Sequence, residues 1–260
     1  MIDILGYLGL ALIPAFILLD AFRGHRKYAS QCWWRLRGIV VTMLAVWLSI
    51  AVATFWANLL GDYTLFSLSN LGLFWGAAVG ILVYEFVHYW YHRAIHRFDF
   101  LWRLAHQMHH SAERIDAFGA YYLHPVDVFL FTTWGSLVFV PVLGLSAEAA
   151  AIGAVFLAFN AMFQHANIRT PHWLGYLIQR PESHCVHHAR GVHHYNYSDL
   201  PLWDIIFGTF WNPKSLEHSD AGFYDGASER LPEMLLFQDV SIAPGETNDE
   251  SDGQVADSRA

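Results

Sequence analysis

The chain has 260 residues, of which 55% are hydrophobic and 16% aromatic. Only 15% are charged, against roughly 25% in soluble domains, so the composition predicts a membrane protein. The formal net charge of −8 comes largely from the segment after residue 238, which has six acids and one base. The near-neutral remainder gives no indication of a nucleic-acid partner. The only cysteines, Cys32 and Cys185, form no CxxC pair, so neither a disulfide framework nor a zinc ribbon is implied.

Apolar runs along the chain predict the membrane helices. A helix needs about 20 apolar residues to cross the hydrocarbon core, and four runs reach that length while the first is marginal. No basic residue precedes the first run, which argues against a signal peptide. We therefore expect an all-α polytopic membrane protein with four to five transmembrane helices and a cytoplasmic histidine-rich helical cap. The runs are Ile4–Leu19, Gly38–Gly61, Tyr63–Tyr84, Val128–Ala147 and Ala149–Ile168.

The charges between the runs predict their orientation. Segment 20–37 contains five basic residues and one acid, so the positive-inside rule makes it cytoplasmic. The 61–70 turn has Asp62 and no base, and is expected outside. The third span then returns 88–110 to the cytoplasmic side. A hairpin with Glu148 at its outer tip does the same for His165. Nearly all histidines are thus expected in one compartment, at the membrane surface.

The chain divides by composition into four parts. Residues 1–70 are the predicted N-terminal transmembrane helices, 71–215 a histidine-rich core and 216–240 a C-terminal cytoplasmic extension. Residues 241–260 are acidic, polar and free of aromatics, which predicts a disordered tail. No C-terminal endoplasmic-reticulum retrieval signal is visible in this compact chain. We therefore expect the bacterial cytoplasmic membrane, with the endoplasmic reticulum as the alternative.

The histidine spacing indicates a metal centre. Residues four apart on a helix share one face, and two HxxHH boxes place histidines at i, i+3 and i+4. A lone histidine such as His25 or His218 is usually structural, but such clusters are not. Neutral imidazole is the commonest transition-metal ligand, and one zinc takes three or four protein ligands. Eight imidazoles therefore suggest two metals, whose element the ligand type leaves open: His92, His96, His106, His109, His110, His184, His187 and His188.

The boxes HRAIH at 92–96, HQMHH at 106–110 and HCVHH at 184–188 resemble those of the fatty acid hydroxylase/sterol desaturase superfamily. EFVHYWYHR at 85–93 and NYSDLPLWDIIFGTFWNP at 196–213 are similar to the family's flanking motifs. The resemblance covers about 75–213. It implies a di-iron centre that activates O2 against a C–H bond of a lipid such as a sterol or fatty acyl chain, by hydroxylation or desaturation. Ser198 stands where the family often has glycine.

Further residues are candidates around this centre. QHAN at 164–167 resembles the histidine that the family places between its second and third boxes, so His165 is expected as a ninth ligand. Aromatic candidates for a lateral lipid path, which an interfacial belt would also explain, are Trp90, Trp102, Trp203, Phe207 and Trp211. Possible additional ligands or orienting residues are His88, His124, His193, His194, Asn196 and Asp204. Glu85, Glu113 and Asp116 are further candidates to orient the imidazoles.

Two other classes of protein remain as alternatives. A metal transporter or storage protein predicts ionisable residues within the spans, whereas spans two and three have none here. A bis-histidine haem cytochrome needs single facing histidines, which adjacent HxxHH boxes match poorly. No flavin, nicotinamide or Walker motif is present, so an oxygenase would take electrons from an external donor of the ferredoxin, cytochrome b5 or reductase type.

Overall fold

The computed structural model describes residues 1–29, 31–214 and 220–245. It is all-helical, and in these ranges only an isolated antiparallel bridge between Ala189 and Ala221 has β geometry. The α-helices there are α1 (Ile2–Arg23), α2 (Trp34–Leu60), α3 (Gly72–Arg97), α4 (Asp99–Leu101), α5 (Gln107–His110), α6 (Pro125–Leu137), α7 (Ala147–His165), α8 (Pro181–His187), α9 (Pro201–Phe207) and α10 (Leu231–Leu235).

Five helical segments of the described chain are long and apolar enough to cross a membrane. They correspond to α1, α2, α3 with a preceding 3-10 turn, α6 with the π-helical turn Val138–Val142, and α7. Helix α1 packs on α7, α2 on α6, and α3 on α7. This arrangement confirms the predicted all-α polytopic fold with a histidine-rich region.

The helix ends differ from the ends of the apolar runs. The third span begins with the 3-10 turn Leu68–Leu71 and extends to Arg97, rather than covering 63–84. Residues before it form a loop, in which Leu65 N–H and Phe66 N–H donate to the carbonyls of Pro141 and Val142 in the π-helical turn that follows α6. Helix α7 is capped by Ser146, so Glu148 lies in its first turn and the hairpin tip is 143–146. Helix α3 continues past the apolar run because titratable residues such as Glu85, His88 and His92 are buried in the bundle.

The segments that carry histidine gather at one end of the bundle. The Asp20 carboxylate, at the end of α1, accepts hydrogen bonds from Ala117 N–H at 2.6 Å and Asn167 N–H at 2.9 Å. Arg26 Nε–H donates to Asn167 Oδ1 at 3.0 Å. Gly38 of α2 lies so close to the Phe118 carbonyl oxygen that a Cβ there would meet it at 2.4 Å. The predicted common compartment for these segments is therefore consistent with the packing, and its cytoplasmic identity stays a prediction.

The C-terminal part packs beneath the second histidine box. Met234 of α10 and Val240 are buried in one cluster with Met108. Trp102 Nε1–H donates to Ser241 Oγ at 3.3 Å. The described structure thus continues past residue 240, and the Ile242 carbonyl accepts a hydrogen bond from Arg230 at 3.4 Å. The rest of the predicted tail, 246–260, lies outside the described residues, as do 215–219 with His218. The division into four parts stays a prediction.

Candidate metal centre

Nine imidazoles meet near the C-terminal ends of α3 and α7 in two neighbouring clusters. Within each cluster, one ring nitrogen from every histidine lies within 4.8 Å of the others, and all nine residues are buried. These are the nine histidines that the sequence singled out as ligands. The five-histidine site is His92, His96, His106, His110 and His187; the four-histidine site is His109, His165, His184 and His188.

Each HxxHH box is divided between the two sites, in opposite ways. His106 and His110 enter the five-histidine site, whereas His109 enters the four-histidine site. In the third box, His184 and His188 enter the four-histidine site, while His187 enters the five-histidine site. Positions i and i+4 share a face and i+3 is rotated from it, so two facing boxes of this pattern can build two sites.

The five-histidine site is organised around His92 of α3. Its Nε2 atom lies 2.9 Å from Nε2 of His106, 3.1 Å from Nε2 of His187 and 3.3 Å from Nε2 of His96. His92 and His96 reach this point because they are one turn apart on α3. A π-helical turn over Trp102–His106 precedes α5, and such single-turn π insertions recur at functional sites.

The four-histidine site is organised around His165, the last residue of α7. Its Nε2 atom lies 3.1 Å from Nε2 of His109 and 3.0 Å from Nε2 of His184. His184 and His188 come from α8 and its C-terminal end, and α8 begins with Pro181 at its first helical position, a residue suited to that place. The two sites touch through His110 and His188, whose rings stack with centroids 4.0 Å apart.

Backbone carbonyls fix which nitrogen of several rings faces the centre. The Nδ1–H groups of His92, His187 and His165 donate to the carbonyls of Tyr197, Tyr195 and Ala161 at 2.7–2.8 Å. A carbonyl oxygen can only accept, so Nδ1 carries the proton in each ring. The lone pair of Nε2 is then directed at the other imidazoles, which is the state that metal ligation requires.

Burial keeps these imidazoles neutral and suited to a metal. It lowers the pKa of His109, His110, His184, His187 and His188, and the neighbouring imidazoles lower it further. In the described chain, His110 Nε2 and both ring nitrogens of His188 are buried without a hydrogen-bond partner. Unpaired buried polar atoms are costly, and a cation would satisfy them. An all-imidazole set suits iron, copper, zinc or nickel rather than magnesium or calcium.

Asp127 is a site residue that the sequence reasoning missed. Its Oδ2 atom lies 2.7 Å from His106 Nδ1, and Tyr91 Oη–H donates to its Oδ1 at 3.3 Å. In the sequence, Asp127 ends the segment LHPVD, in which only His124 is a predicted candidate. That histidine instead caps α6, since its Nδ1 accepts from Val126 N–H at 3.1 Å, and it belongs to neither cluster.

Asp204 and Asn196 hold the loop that supplies two of the anchoring carbonyls. Asp204 accepts hydrogen bonds from Tyr197 N–H at 2.8 Å and Ser198 N–H at 2.9 Å. Asn196 donates to the Ser183 carbonyl of α8 at 2.9 Å. Both Tyr195 and Asn196 have left-handed φ, at 66° and 51°, an uncommon backbone state for non-glycine residues. These side chains orient imidazoles through the backbone and are not grouped with the ligand atoms.

The remaining polar candidates from the sequence differ in whether they contact the imidazole clusters. His193 Nδ1 lies 3.0 Å from Nδ1 of His110, whereas the Nδ1–H of His194 donates to the Val192 carbonyl. Glu113 accepts from Ser228 N–H at 3.0 Å, and Asp116 accepts from the Trp34 indole at 3.1 Å, so they connect their loop to the C-terminal segment and to the start of α2. His88 is placed with Glu85 and Asp199 in a third buried group, whose ligand atoms also lie within 4.8 Å of one another.

The five aromatic candidates also differ in their packing and exposure. Trp102 is buried against the centre, with its ring 5.1 Å from the rings of His96 and His110. Trp203 and Phe207 of α9 pack with Phe86 of α3. Trp90 and Trp211 are 44% and 37% exposed. Trp102 thus forms part of the wall of the imidazole clusters.

Comparison with known proteins agrees with the motif placement. The profile of the family described as "Fatty acid hydroxylase" matches residues 77–209. Sphinganine C4-monooxygenase 1 of Arabidopsis thaliana is 31% identical over 148 residues, which are 55% of this chain and 56% of that protein. The ornithine lipid hydroxylase of Rhizobium tropici is 32% identical over 55% of this chain and 44% of its own length.

Human alkylglycerol monooxygenase is 32% identical over 57% of this chain and 33% of its own length. The chain thus matches between a third and somewhat over half of the length of these curated relatives. No solved structure shows significant similarity to the chain.

Proposed function

Because the chain belongs to the fatty acid hydroxylase/sterol desaturase superfamily, we propose that it is an integral-membrane di-iron oxygenase. It uses O2 and external electrons to hydroxylate, or desaturate, a C–H bond of a membrane lipid. The observation that carries this proposal is the convergence of nine buried imidazoles into two adjacent sites at the end of a membrane bundle. One iron ion is assigned to each site.

The chain's own residues prepare the centre for such chemistry. Iron held by the two clusters would supply the activation of O2 that an unactivated C–H bond requires. The fixed Nδ1–H groups orient the imidazoles, and Asp127 holds His106. Every ligand side chain is buried, with none more than 8% exposed, so bulk water is kept away from the reacting groups. Exclusion of water limits side reactions of activated intermediates.

The substrate is expected to reach the centre from the bilayer. The relatives are named for sphinganine, alkylglycerol and ornithine lipid, all amphipathic lipids, and we assign the same broad class here. Outside the long helices, α9 exposes Leu202, Ile205 and Ile206, an apolar face suited to the membrane interface. Helix α9 itself packs against α3, which carries the first histidine box. Lateral access between bilayer and centre is part of the proposal.

The location and the electron supply complete the proposal. We assign the histidine end to the cytoplasmic side, which the basic segment 20–37 supports through the positive-inside rule, in the bacterial cytoplasmic membrane or alternatively the endoplasmic reticulum. Electrons are delivered there by a ferredoxin, cytochrome b5 or reductase-type donor. Arg93 and Arg97 lie at the inner end of α3, so the cap carries cationic groups close to the buried centre, where an acidic donor protein would dock.

Lipid analysis with isotopic oxygen tests the reaction. Cells that express the chain should accumulate a lipid with one added oxygen atom, labelled when they are grown under 18O2, or an alkene if the product is desaturated. His187→Ala, which removes a ligand of the five-histidine site, serves as the inactive control, and His25→Ala changes an exposed histidine. An unchanged lipid profile with the metal-loaded chain and its electron donors present would contradict the proposal.

Metal analysis separates the alternatives. The oxygenase predicts two iron ions in the histidine sites and no Soret absorption band. A haem cytochrome would show that band, and a transport or storage protein would bind metal without any O2-dependent lipid product. The four and five imidazoles per cluster favour the first outcome over a haem, which takes two.

A further inference from the structure

A third group of ligand-type side chains lies in the bundle beside the nine histidines. Glu85 and His88 are one turn apart on α3, and Asp199 precedes α9. Their potential ligand atoms lie within 4.8 Å of one another, and His88 Nδ1 is 3.7 Å from Glu85 Oε2. The three residues are 0%, 7% and 6% exposed. This triad shares no ligand atom with the two histidine clusters.

Two atoms of the triad are buried without a partner. Glu85 Oε2 accepts from Asp199 N–H at 2.8 Å and Leu200 N–H at 3.2 Å. Its other oxygen, Oε1, has no hydrogen-bond partner in the described chain, and the same is true of His88 Nδ1. Such orphaned atoms are uncommon in native interiors and cost free energy. Both belong to side chains that converge on one point, as ligands of an ion would.

The two carboxyl groups of the triad also favour a bound cation. Glu85 and Asp199 are carboxylic side chains in the interior of the bundle, where an isolated carboxylate is strongly disfavoured. In the described ranges, the ion pairs of arginine include neither of them. Gln164 hydrogen-bonds Asp199, but an amide carries no net charge. A divalent ion would balance both carboxylates and occupy the unpaired positions of Glu85 and His88 at once.

We propose that Glu85, His88 and Asp199 bind a divalent transition-metal ion, separate from the two metals of the histidine clusters. One imidazole nitrogen and two carboxylate oxygens suit Fe2+, Mn2+ or Zn2+ rather than a soft ion. Ligand bonds of about 2.0–2.2 Å would draw the three atoms slightly closer together. The ring of His88 stacks on that of His92, with centroids 5.4 Å apart and 8° between planes, so the ion would adjoin the five-histidine site.

Metal counting tests this site without reference to the reaction. The detergent-purified full chain is loaded with Fe2+ under anaerobic conditions, desalted and analysed by mass spectrometry for metal per chain. Wild type should bind three ions, one for each group. Glu85→Gln should bind two, because its amide can still accept from the Asp199 backbone while the free oxygen is replaced. His88→Ala should also bind two. The matched control is Asp62→Asn, which removes an exposed carboxylate of the outer loop.

The outcomes distinguish a metal-binding triad from a pair of buried, protonated carboxyl groups. Wild type with two ions, or Glu85→Gln with as many as wild type, overturns the proposal and is the result expected for protonated carboxyl groups. Should both variants fail to fold, anomalous X-ray scattering from crystals of the unaltered, metal-loaded chain decides the question. A peak enclosed by Glu85, His88 and Asp199 supports the site, and its absence overturns it. Either result leaves the function proposed for the histidine clusters open to its own test.

Discussion

Nδ1 of His106 lies 2.7 Å from Oδ2 of Asp127, and both side chains are buried. The contact joins the π-helical turn of the second box to the first turn of α6. A carboxylate on the far side of an imidazole fixes the ring and makes its other nitrogen a stronger donor to a metal. Asp127 therefore supports His106 without belonging to either cluster.

Asp127→Asn is expected to weaken metal binding at the five-histidine site by about 10–100-fold, the usual cost of losing such a partner. The amide keeps the shape of the side chain but removes the charge that orients His106. Competition with a metal chelator measures the affinity. Tyr91→Phe is the matched control, since it removes a hydrogen bond to Asp127 but leaves the carboxylate on His106. Equal affinity in Asp127→Asn and Tyr91→Phe would contradict this role.

The sequence predicted which histidines come together better than how they divide into two clusters. Periodicity places His92 and His96 on one face of a helix, and uncharged runs identify the spans. Division of each HxxHH box between two sites depends on how α5 and α8 face each other, which spacing within one segment does not contain. Asp127 was missed for the same reason, because it meets His106 only after α6 folds back. The start of the third span was misplaced because apolarity does not distinguish a helix from a loop that is hydrogen-bonded to the π-helical turn after α6.

Alanine at His187 or His165 is expected to affect different metals. His187 belongs to the five-histidine site and His165 to the four-histidine site, so each variant should lose bound iron chiefly from its own site. Both should abolish turnover, because the proposed reaction needs both ions. Iron counting and the 18O2 assay provide the measurements, with His25→Ala as an exposed control. Full activity in either cluster variant would remove that histidine from the ligand set.

The metal-free chain is expected to lose stability as the pH falls below about 6.5. Burial lowers the pKa of His184 and His188 in the folded chain, whereas the unfolded pKa is about 6.5. Above that pH both states are neutral and these groups contribute no pH dependence. Below it the unfolded state binds protons that the folded state does not, so each such imidazole reduces the free energy of unfolding by up to about 1.4 kcal/mol per pH unit.

Thermal unfolding of the metal-free protein in detergent measures this effect. The midpoint should fall clearly between pH 6.5 and 5.5 and change little between pH 8.5 and 7.5. Metal loading should raise the midpoint at each pH, because the metal binds the folded state. An unchanged midpoint between pH 6.5 and 5.5 would mean that the imidazoles are not held neutral by burial.

Truncation distinguishes the packed C-terminal segment from the residues after it. A chain ending at Gly245 loses only the acidic, aromatic-free residues 246–260 and should keep wild-type metal content and activity. A chain ending at Phe237 also loses Gln238, whose carbonyl accepts from Gln107 Nε2–H at 2.8 Å, and the fully buried Val240.

Gln107 immediately follows His106, so the loss of these contacts should loosen the second box. Removing the buried Val240 side chain and the two hydrogen bonds that Gln107 makes with Gln238 and Val240 should together cost about 2–4 kcal/mol, while Gln107 keeps its bond to the Arg103 carbonyl. We expect the shorter chain to bind less iron and to unfold at lower temperature, whereas the chain ending at Gly245 matches wild type in both. Loss of iron on removing 246–260 alone would show that those residues support the centre. Full iron content in the chain ending at Phe237 would show that the contacts with Gln107 do not.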